Sequence, residues 1–152
     1  MYRSILVATD LLPTSFPALR AGLQLAHLQR ARIAVIYVME VWMIERQWFS
    51  DLTQDDIAAH RALMQREEQA VLREMREQIR RACVQERIEL EVDAIVRDGR
   101  ASTSIVSAAA ERDCDLIVVG TRGRGTTLGS VAAQVVGIAS RPVLVVPAGL
   151  AA

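Results

Sequence analysis

The sequence is poor in the residues that build metal centres, disulfide frameworks and catalytic dyads. It contains two cysteines and two histidines in 152 residues. Cys83 and Cys114 lie far apart and outside any Cys-x-x-Cys pair, so we expect buried free thiols. His27 and His60 have no second histidine or cysteine at ligand spacing, which favours surface or packing roles in helices. No pattern combines a nucleophile, a base and an orienting acid, so we expect neither a catalytic site nor a metal site in the protein itself.

An excess of charge of one sign and long apolar runs are also missing. Eighteen basic residues balance eighteen acidic ones, and aromatic residues make up 4% of the chain. This balance gives no electrostatic case for binding nucleic acid or an anionic membrane. No apolar run approaches the length of a membrane span, and residues 1–9 run into a strand pattern without the features of a signal peptide. We therefore expect a cytoplasmic protein with no nucleic-acid or membrane partner.

Short apolar runs alternate with helical segments along the chain. Four runs rich in β-branched residues are apolar on both faces, as strands of a parallel sheet covered by helices are. They are residues 4–9, 33–39, 115–120 and 142–147. Residues 88–96 instead alternate apolar and mostly charged side chains, which is typical of a half-exposed edge strand.

The segments between these runs have helical periodicity. It predicts helices at about 14–30, 54–85, 102–112 and 130–139. Thr14 or Ser15 is expected to cap the first helix. A Glu77–Arg81 pair is expected on the solvated face of the second.

This alternation predicts one α/β domain over residues 1–152. We expect a five-stranded, parallel, doubly wound sheet in the order 3-2-1-4-5, with helices on both faces. In that order the winding reverses between strands one and four. A crevice then opens at their carboxyl ends, where ligands of such sheets bind.

Five segments make the chain similar to the universal stress protein family over nearly its whole length. They are Ile5–Asp10, Asp98–Arg100, Asp115–Gly125, Gly129–Ala132 and Pro142–Pro147. The resemblance implies a stress-response protein that binds an adenine nucleotide such as ATP. Mg²⁺ can be bound together with the nucleotide. Nucleotide-binding members of the family carry G-x2-G-x9-G-[S/T] after strand four, and members without it do not bind.

The glycine segment of this chain departs from that pattern. Gly120 and Gly123 keep the first spacing, but only five residues separate Gly123 from Gly129. Glycines let backbone N–H groups approach phosphate oxygens, and Ser130 adds a hydroxyl at a helix amino end. Because these three glycines and Ser130 are present, we expect nucleotide binding to be retained. Because the shorter loop cannot follow the path of the family's loop, we expect the binding to be weaker. The chain contains no P-loop, no G-x-G-x-x-G and no Ser-Gly-Gly turn after strand one.

The resemblance also implies which residues form the site. They are Thr9, Asp10, Val38, Gly120, Thr121, Gly123, Gly129, Ser130 and Val131. Arg122 and Arg124 are further phosphate-binding candidates, although exposed loop arginines often have no ligand. Asp10 has two interpretations: a hydrogen bond to a ribose hydroxyl or a bound metal, or a carboxylate that caps a turn.

Residues 40–51 contain both tryptophans, Trp42 and Trp48. Three roles remain open for this segment: a hydrophobic loop folded over the core, a lid over the ligand, or a surface for a partner protein. We expect it to matter for stability or association more than for chemistry.

The last strand is expected at a sheet edge without charges to block pairing. The apolar residues concerned are Val143, Leu144, Val145 and Val146. We expect them to form the interface of a two-fold homodimer, as the resemblance also implies.

Three functional classes therefore remain. They are an adenine-nucleotide-binding stress module, a ligand-free homodimer that acts through protein contacts, and a weak ATPase. The family sometimes shows slow ATP hydrolysis, and this is the only enzymatic activity that we consider.

Overall fold

The structure is a computed structural model that describes residues 1–40, 53–121 and 128–149. Strands and helices alternate along these residues. The strands are β1 (Ser4–Ala8), β2 (Arg32–Met39), β3 (Val92–Asp98), β4 (Leu116–Gly120) and β5 (Val143–Val146). The helices are α1 (Phe16–Gln29), α2 (Gln54–Glu86), α3 (Ala101–Glu111) and α4 (Ser130–Ile138), and a 3₁₀ turn at Pro13–Ser15 precedes α1.

The five strands form one parallel sheet in the order β3-β2-β1-β4-β5, which confirms the predicted fold. β1 is central: Ile5 pairs with Ile33 of β2 on one side and with Leu116 of β4 on the other. The winding reverses between β1 and β4. The carboxyl ends of these two strands therefore flank a crevice.

Apolar side chains cover both faces of the sheet. Ile5 and Val7 of β1 face a core built with α1 and α2, whereas Leu6 faces a second core built with α3 and α4. Successive side chains of a strand point to opposite faces, so a strand buried on both sides must be apolar at every position. This requirement explains the continuous apolar runs.

Helix α2 has the predicted bounds within one residue. A capping box opens it: the Thr53 hydroxyl accepts from the backbone N–H of Asp56, and the Asp56 carboxylate accepts from that of Thr53. The 33 residues make a helix about 50 Å long. Its buried positions are Val71, Met75, Ile79 and Ala82. The predicted Glu77–Arg81 pair is present at 3.2 Å.

Gly22 allows α1 to lie directly against β1. A Cβ atom at this position would stand 2.3 Å from Cγ2 of Val7, closer than packed atoms allow. Val7 itself is fully buried. The absence of a side chain at Gly22 therefore sets the distance between helix and sheet.

Asp115 joins the amino ends of the two central strands. Its carboxylate accepts hydrogen bonds from the backbone N–H groups of Arg3 and Ser4, at 2.9–3.1 Å. Burial acts to raise the pKa of Asp115, but these backbone donors together outweigh it, and the pKa lies below its usual value.

β3 begins at Val92, four residues later than the alternating pattern predicts. Residues 88–91 instead lead away from α2: the Ile88 N–H donates to the Cys83 carbonyl, and Ile88 is buried. Two charged residues of β3 form ion pairs with residues at and just after the end of α3. Arg97 binds Glu111 at 2.5 Å, and Arg112 binds Asp93.

Both cysteines are free thiols. Cys114 is buried as predicted, whereas Cys83 is half-buried, and burial raises the pKa of its thiol. Within the described residues, no helix is both long and apolar enough to span a membrane. The segment with Trp42 and Trp48 lies outside the described residues, so the three roles considered for it stay open.

Candidate functional site

A cleft of about 830 Å³ opens at the carboxyl ends of β1 and β4, where the winding of the sheet reverses. Its walls come from the ends of β1, β2 and β4 and from the amino ends of α3 and α4. The predicted nucleotide-binding residues that fall within the described part all line the cleft: Thr9, Asp10, Val38, Gly120, Thr121, Gly129, Ser130 and Val131. The topology therefore gathers residues from four separate segments.

A hydrogen-bonded turn connects β1 to α1. The Ser15 hydroxyl donates to the Leu12 carbonyl at 2.9 Å, which leaves Thr9 as the donor in the 2.9 Å bond between the two hydroxyls. The Thr9 oxygen accepts from the N–H of Leu11. Ser15 stands at the N-cap position of α1, but its side chain makes no capping bond, contrary to the sequence-based expectation. It is bound within the turn instead.

Asp10 stabilises the turn that follows β1. Its Oδ1 accepts from the Leu12 N–H at 3.0 Å, two residues further along. The intervening Leu11 has a left-handed φ of 64°, and its carbonyl accepts from the Gln78 side chain of α2 at 2.9 Å. The carboxylate also lines the cleft. Its role toward a ribose or a metal therefore stays a prediction.

Thr121 ties the end of β4 to the end of β5. Its N–H donates to the Val146 carbonyl at 3.1 Å, and its Oγ1 accepts from the Ala148 N–H at 3.2 Å. A Cβ atom on Gly120 would stand 3.5 Å from Ala18 Cβ, an ordinary contact. The packing of the described residues therefore does not require glycine at position 120.

The amino end of α4 lines the cleft, and no side chain of the described residues caps it. Gly129 is its N-cap residue, in an extended conformation with φ −60° and ψ 158°, and it supplies no side-chain cap. The first turn contains no acidic residue. The first N–H groups of a helix have no partner within the helix and carry a partial positive charge. This end of the cleft is therefore suited to an anion.

The amino end of α3 opens on the same cleft but is already occupied. Oε1 of Glu40, just after β2, accepts from the Ala101 N–H at 3.1 Å. Sequence reasoning missed Glu40. The available signal was an acidic residue directly after a strand, opposite a helix start at Gly99–Arg100 that has no side-chain cap of its own.

Three of the predicted phosphate-binding residues, Arg122, Gly123 and Arg124, lie outside the described residues. Among those that the structure describes, no group of three His, Cys, Asp or Glu side chains is arranged to hold a metal ion.

Comparison with solved structures gives the same fold. A crystal structure of a universal stress protein in complex with cAMP is 22% identical and superposes with a TM-score of 0.67, covering 97% of this chain and 98% of that one. The universal stress protein from Archaeoglobus fulgidus in complex with dAMP is 25% identical, with a TM-score of 0.59 and coverage of 95% and 97%.

Comparison of sequences identifies the family. A universal stress protein of Synechocystis sp. is 51% identical over 57 residues, which are 35% of this chain and 36% of that protein. The match thus spans about a third of the relative's length. The model of the universal stress protein family matches residues 1–147. The chain belongs to the universal stress protein family.

Proposed function

We propose that this protein binds an adenine nucleotide, ATP or AMP, in the crevice between the carboxyl ends of β1 and β4. The observation that carries the proposal is the amino end of α4, where Gly129 and Ser130 line the cleft with no cap from a described side chain and no acidic residue in the first turn. Backbone N–H groups at such an end bind phosphate. The cleft volume of about 830 Å³ suits a small ligand.

The two helix ends that line the cleft determine the orientation of the bound nucleotide. The Glu40 carboxylate accepts from the first N–H group of α3, beside Arg100, whereas no described side chain caps the amino end of α4. The phosphates therefore lie at α4, and the base lies toward β2 and α3. In this orientation Asp10 is near the ribose and Val38 is near the base.

The shortened loop makes the binding weak. Fewer backbone N–H groups are available between Gly123 and Gly129 than in family members with nine intervening residues. Arg122 and Arg124 give the loop positive charge, which would compensate in part. With ATP, Mg²⁺ would be held chiefly by phosphate oxygens and water rather than by a protein cage.

The relatives support this proposal. Two structural neighbours are complexes with cAMP or dAMP, both of which contain adenine and phosphate. The relative with dAMP covers 95% of this chain at 25% identity.

The first experiment is mass spectrometry of the purified protein after denaturation, which we expect to release adenine nucleotide. The second is a thermal melt with ATP and Mg²⁺. At a hundredfold excess over the dissociation constant, a ligand stabilises the fold by about 2.7 kcal/mol, which raises the melting temperature by about 5 to 10 °C. A melt that does not move, together with no bound nucleotide, would contradict the proposal. Release of phosphate above background would show the weak ATPase activity.

Two variants locate the ligand. Gly123→Val and Ser130→Ala should both reduce the nucleotide-dependent shift. Ser130→Ala should leave the melt without ligand within about 0.5 kcal/mol of the parent, because it removes an exposed hydroxyl that makes no capping bond. A nucleotide shift unchanged in both variants would place the ligand elsewhere.

We also propose that the protein forms a two-fold homodimer through β5. The observation that favours this second function is a set of exposed apolar side chains on the edge strand β5 and on α4. Leu144 of β5 is 36% exposed, and Val136 and Ile138 of α4 are 46% and 50% exposed. Val143 and Val145 are half-buried and pack against the core on the α3 and α4 side.

The exposed Leu144 allows a direct test of the dimer. Leu144→Lys places a charge on the proposed interface without entering either core, because Leu144 belongs to neither apolar cluster. Sedimentation at micromolar concentration should show a dimer for the parent and a monomer for the variant, with the secondary structure unchanged. A parent that sediments as a monomer would refute the dimer.

A further inference from the structure

β3 forms one edge of the sheet. It pairs with β2 along its whole length, and among the described residues it has no strand on its other side. The Gly99 N–H, just after the strand, donates to the carbonyl of Met39, the last residue of β2. Backbone groups of successive residues point to opposite sides of a strand, so those of Ala94 and Val96 point away from β2. Such outward groups are a template for a further strand.

Two opposite charges lie symmetrically on this edge. Asp93 precedes Ile95 by two residues and Arg97 follows it by two, so the three side chains share one face of the sheet. On that face Arg112 binds Asp93, and Glu111 binds Arg97 at 2.5 Å. The side chains of Asp93 and Arg97 remain 64% and 33% exposed. Each can bind a second partner, because a carboxylate accepts at both oxygens and a guanidinium has five N–H donors.

A second copy of β3 fits this edge in antiparallel orientation. With Ile95 of the two copies opposite each other, Asp93 of each chain lies opposite Arg97 of the other. Ala94 then lies opposite Val96, and these two residues, whose backbone groups point outward, form the hydrogen-bonded pairs. Charges on an edge strand normally prevent pairing, but here opposite charges meet across the new ladder, which stabilises it.

The edge is accessible along the described residues. Ala94, Ile95 and Val96 are half-buried, so part of each side chain faces solvent. An open groove of about 950 Å³ lies between the last turns of α2 and the start of β3, where Val92 lines it. The charged residues that line this groove are Arg76, Arg80, Arg87, Glu89 and Glu91. Because arginines outnumber glutamates there, the groove has no excess of negative charge against Asp98 of a second copy, which lies opposite Val92 in this register.

We infer that β3 forms a second interface between copies of this chain, by antiparallel pairing of β3 with β3 about a two-fold axis at Ile95. The paired strand has only seven residues on each side, fewer than a standard interface uses, so the association is weak. We expect a dissociation constant of roughly 0.1 to 1 mM. Because β3 and β5 lie at opposite edges of the sheet, dimers joined through β5 would associate further through β3.

Sedimentation of Leu144→Lys isolates this interface, because that variant is designed to lack the contact through β5. It should be a monomer at micromolar concentration and form dimers as the concentration approaches about 1 mM. Asp93→Arg and Arg97→Asp, each added to Leu144→Lys, place like charges opposite one another twice in the symmetric pair. Each should weaken the association at least about tenfold.

Mixing the two charge-reversed proteins should restore the association. One chain then presents arginine at both 93 and 97 and the other presents aspartate at both, so opposite charges meet again. Glu67→Arg and Arg66→Asp are the matched controls, because they make the same changes of net charge at exposed positions of α2. Each control should associate like the Leu144→Lys background, and mixing the two should add nothing.

A further variant tests the backbone without changing a charge. Ala94→Pro, again with Leu144→Lys, removes an N–H group that points away from β2, a position where edge strands tolerate proline. Its association should be lost while the melt shows a folded protein. Melts of all variants report folding, since the exposed ion pairs that the charge reversals break contribute little to stability.

The outcomes are independent of nucleotide binding and of the β5 dimer. If Leu144→Lys stays a monomer up to about 1 mM, self-pairing of β3 is overturned, and an extended segment of another protein becomes the alternative occupant of the edge. If the mixture of charge-reversed chains associates no better than each alone, or if folded Ala94→Pro associates like its background, the proposed register is wrong.

Discussion

Replacing Gly22 with alanine is expected to destabilise the fold. The new Cβ atom would stand 2.3 Å from Val7 Cγ2 and 3.8 Å from Ile33 Cδ1. Val7 is fully buried, and its β-branched side chain is stiff at χ1. The clash can be relieved only by rotating Val7 into a packed core or by moving α1 off the sheet. Overpacking of this kind costs about 1 to 3 kcal/mol.

Helix propensity acts in the opposite direction. Alanine is favoured over glycine by about 1 kcal/mol in a helix interior, so the net loss for Gly22→Ala is up to about 2 kcal/mol. Gly137 of α4 is the matched control, because a Cβ atom added there would meet no atom of another described segment within 4 Å. There the same substitution should stabilise the protein by about 0.5 to 1 kcal/mol. The two alanines should therefore move stability in opposite directions.

Urea denaturation with a constant m-value measures both changes as shifts of the midpoint. The double variant Val7→Ala/Gly22→Ala removes the clashing methyl, so its loss should be smaller than the sum of the two single losses. The reasoning would be refuted if Gly22→Ala were as stable as Gly137→Ala, or if the double variant showed simple additivity.

Three other predictions concern charge and capping. Asp115→Asn should be less stable than the parent at neutral pH. Because the pKa of Asp115 is lowered in the folded state, its contribution to stability is present above the unfolded pKa of about 3.9 and is lost as the pH falls through the folded pKa. Urea melts should therefore show the difference in unfolding free energy between parent and variant shrinking in acid, and a constant difference would contradict this. Thr53→Ala should cost about 1 kcal/mol by removing the cap of α2, while Thr53→Ser should cost less in the same melts. The pKa of the Glu77 carboxyl should be about 2 because Arg80, and to a lesser extent Arg81, donate hydrogen bonds to it. NMR titration of Arg80→Gln should give a higher pKa for Glu77, and an unchanged pKa would show that Arg80 does not cause the shift.

The central strands were predictable because burial on both faces leaves a local signature. β1 and β4 are apolar at nearly every position, and the sheet order follows from few allowed crossovers. The start of β3 was not predictable in the same way. Ile88 and Leu90 alternate with acids as a strand does, yet Ile88 is bonded to the end of α2. Pairing with β2 begins only at Val92.

Some residues of the candidate site were predictable from the sequence, and others were not. Residues directly after β1 and β4 were predictable because topology alone brings strand ends together. Glu40 was missed because its partner, Ala101, is 61 residues away, and no local pattern records such a contact. The side-chain bonds of Thr9 and Thr121 were also hidden, since each depends on the path of a loop.

The pairing of β1 with β4 has a consequence for folding kinetics. Ile5 pairs with Leu116, and the N–H groups of Arg3 and Ser4 bind Asp115, so these contacts close most of the chain into a loop. Contacts between residues so far apart in sequence form late in folding, because closing a long loop costs chain entropy. We expect the crevice to be completed after the β1-α1-β2 unit has formed. A nucleotide bound there would then slow unfolding and leave the folding rate nearly unchanged.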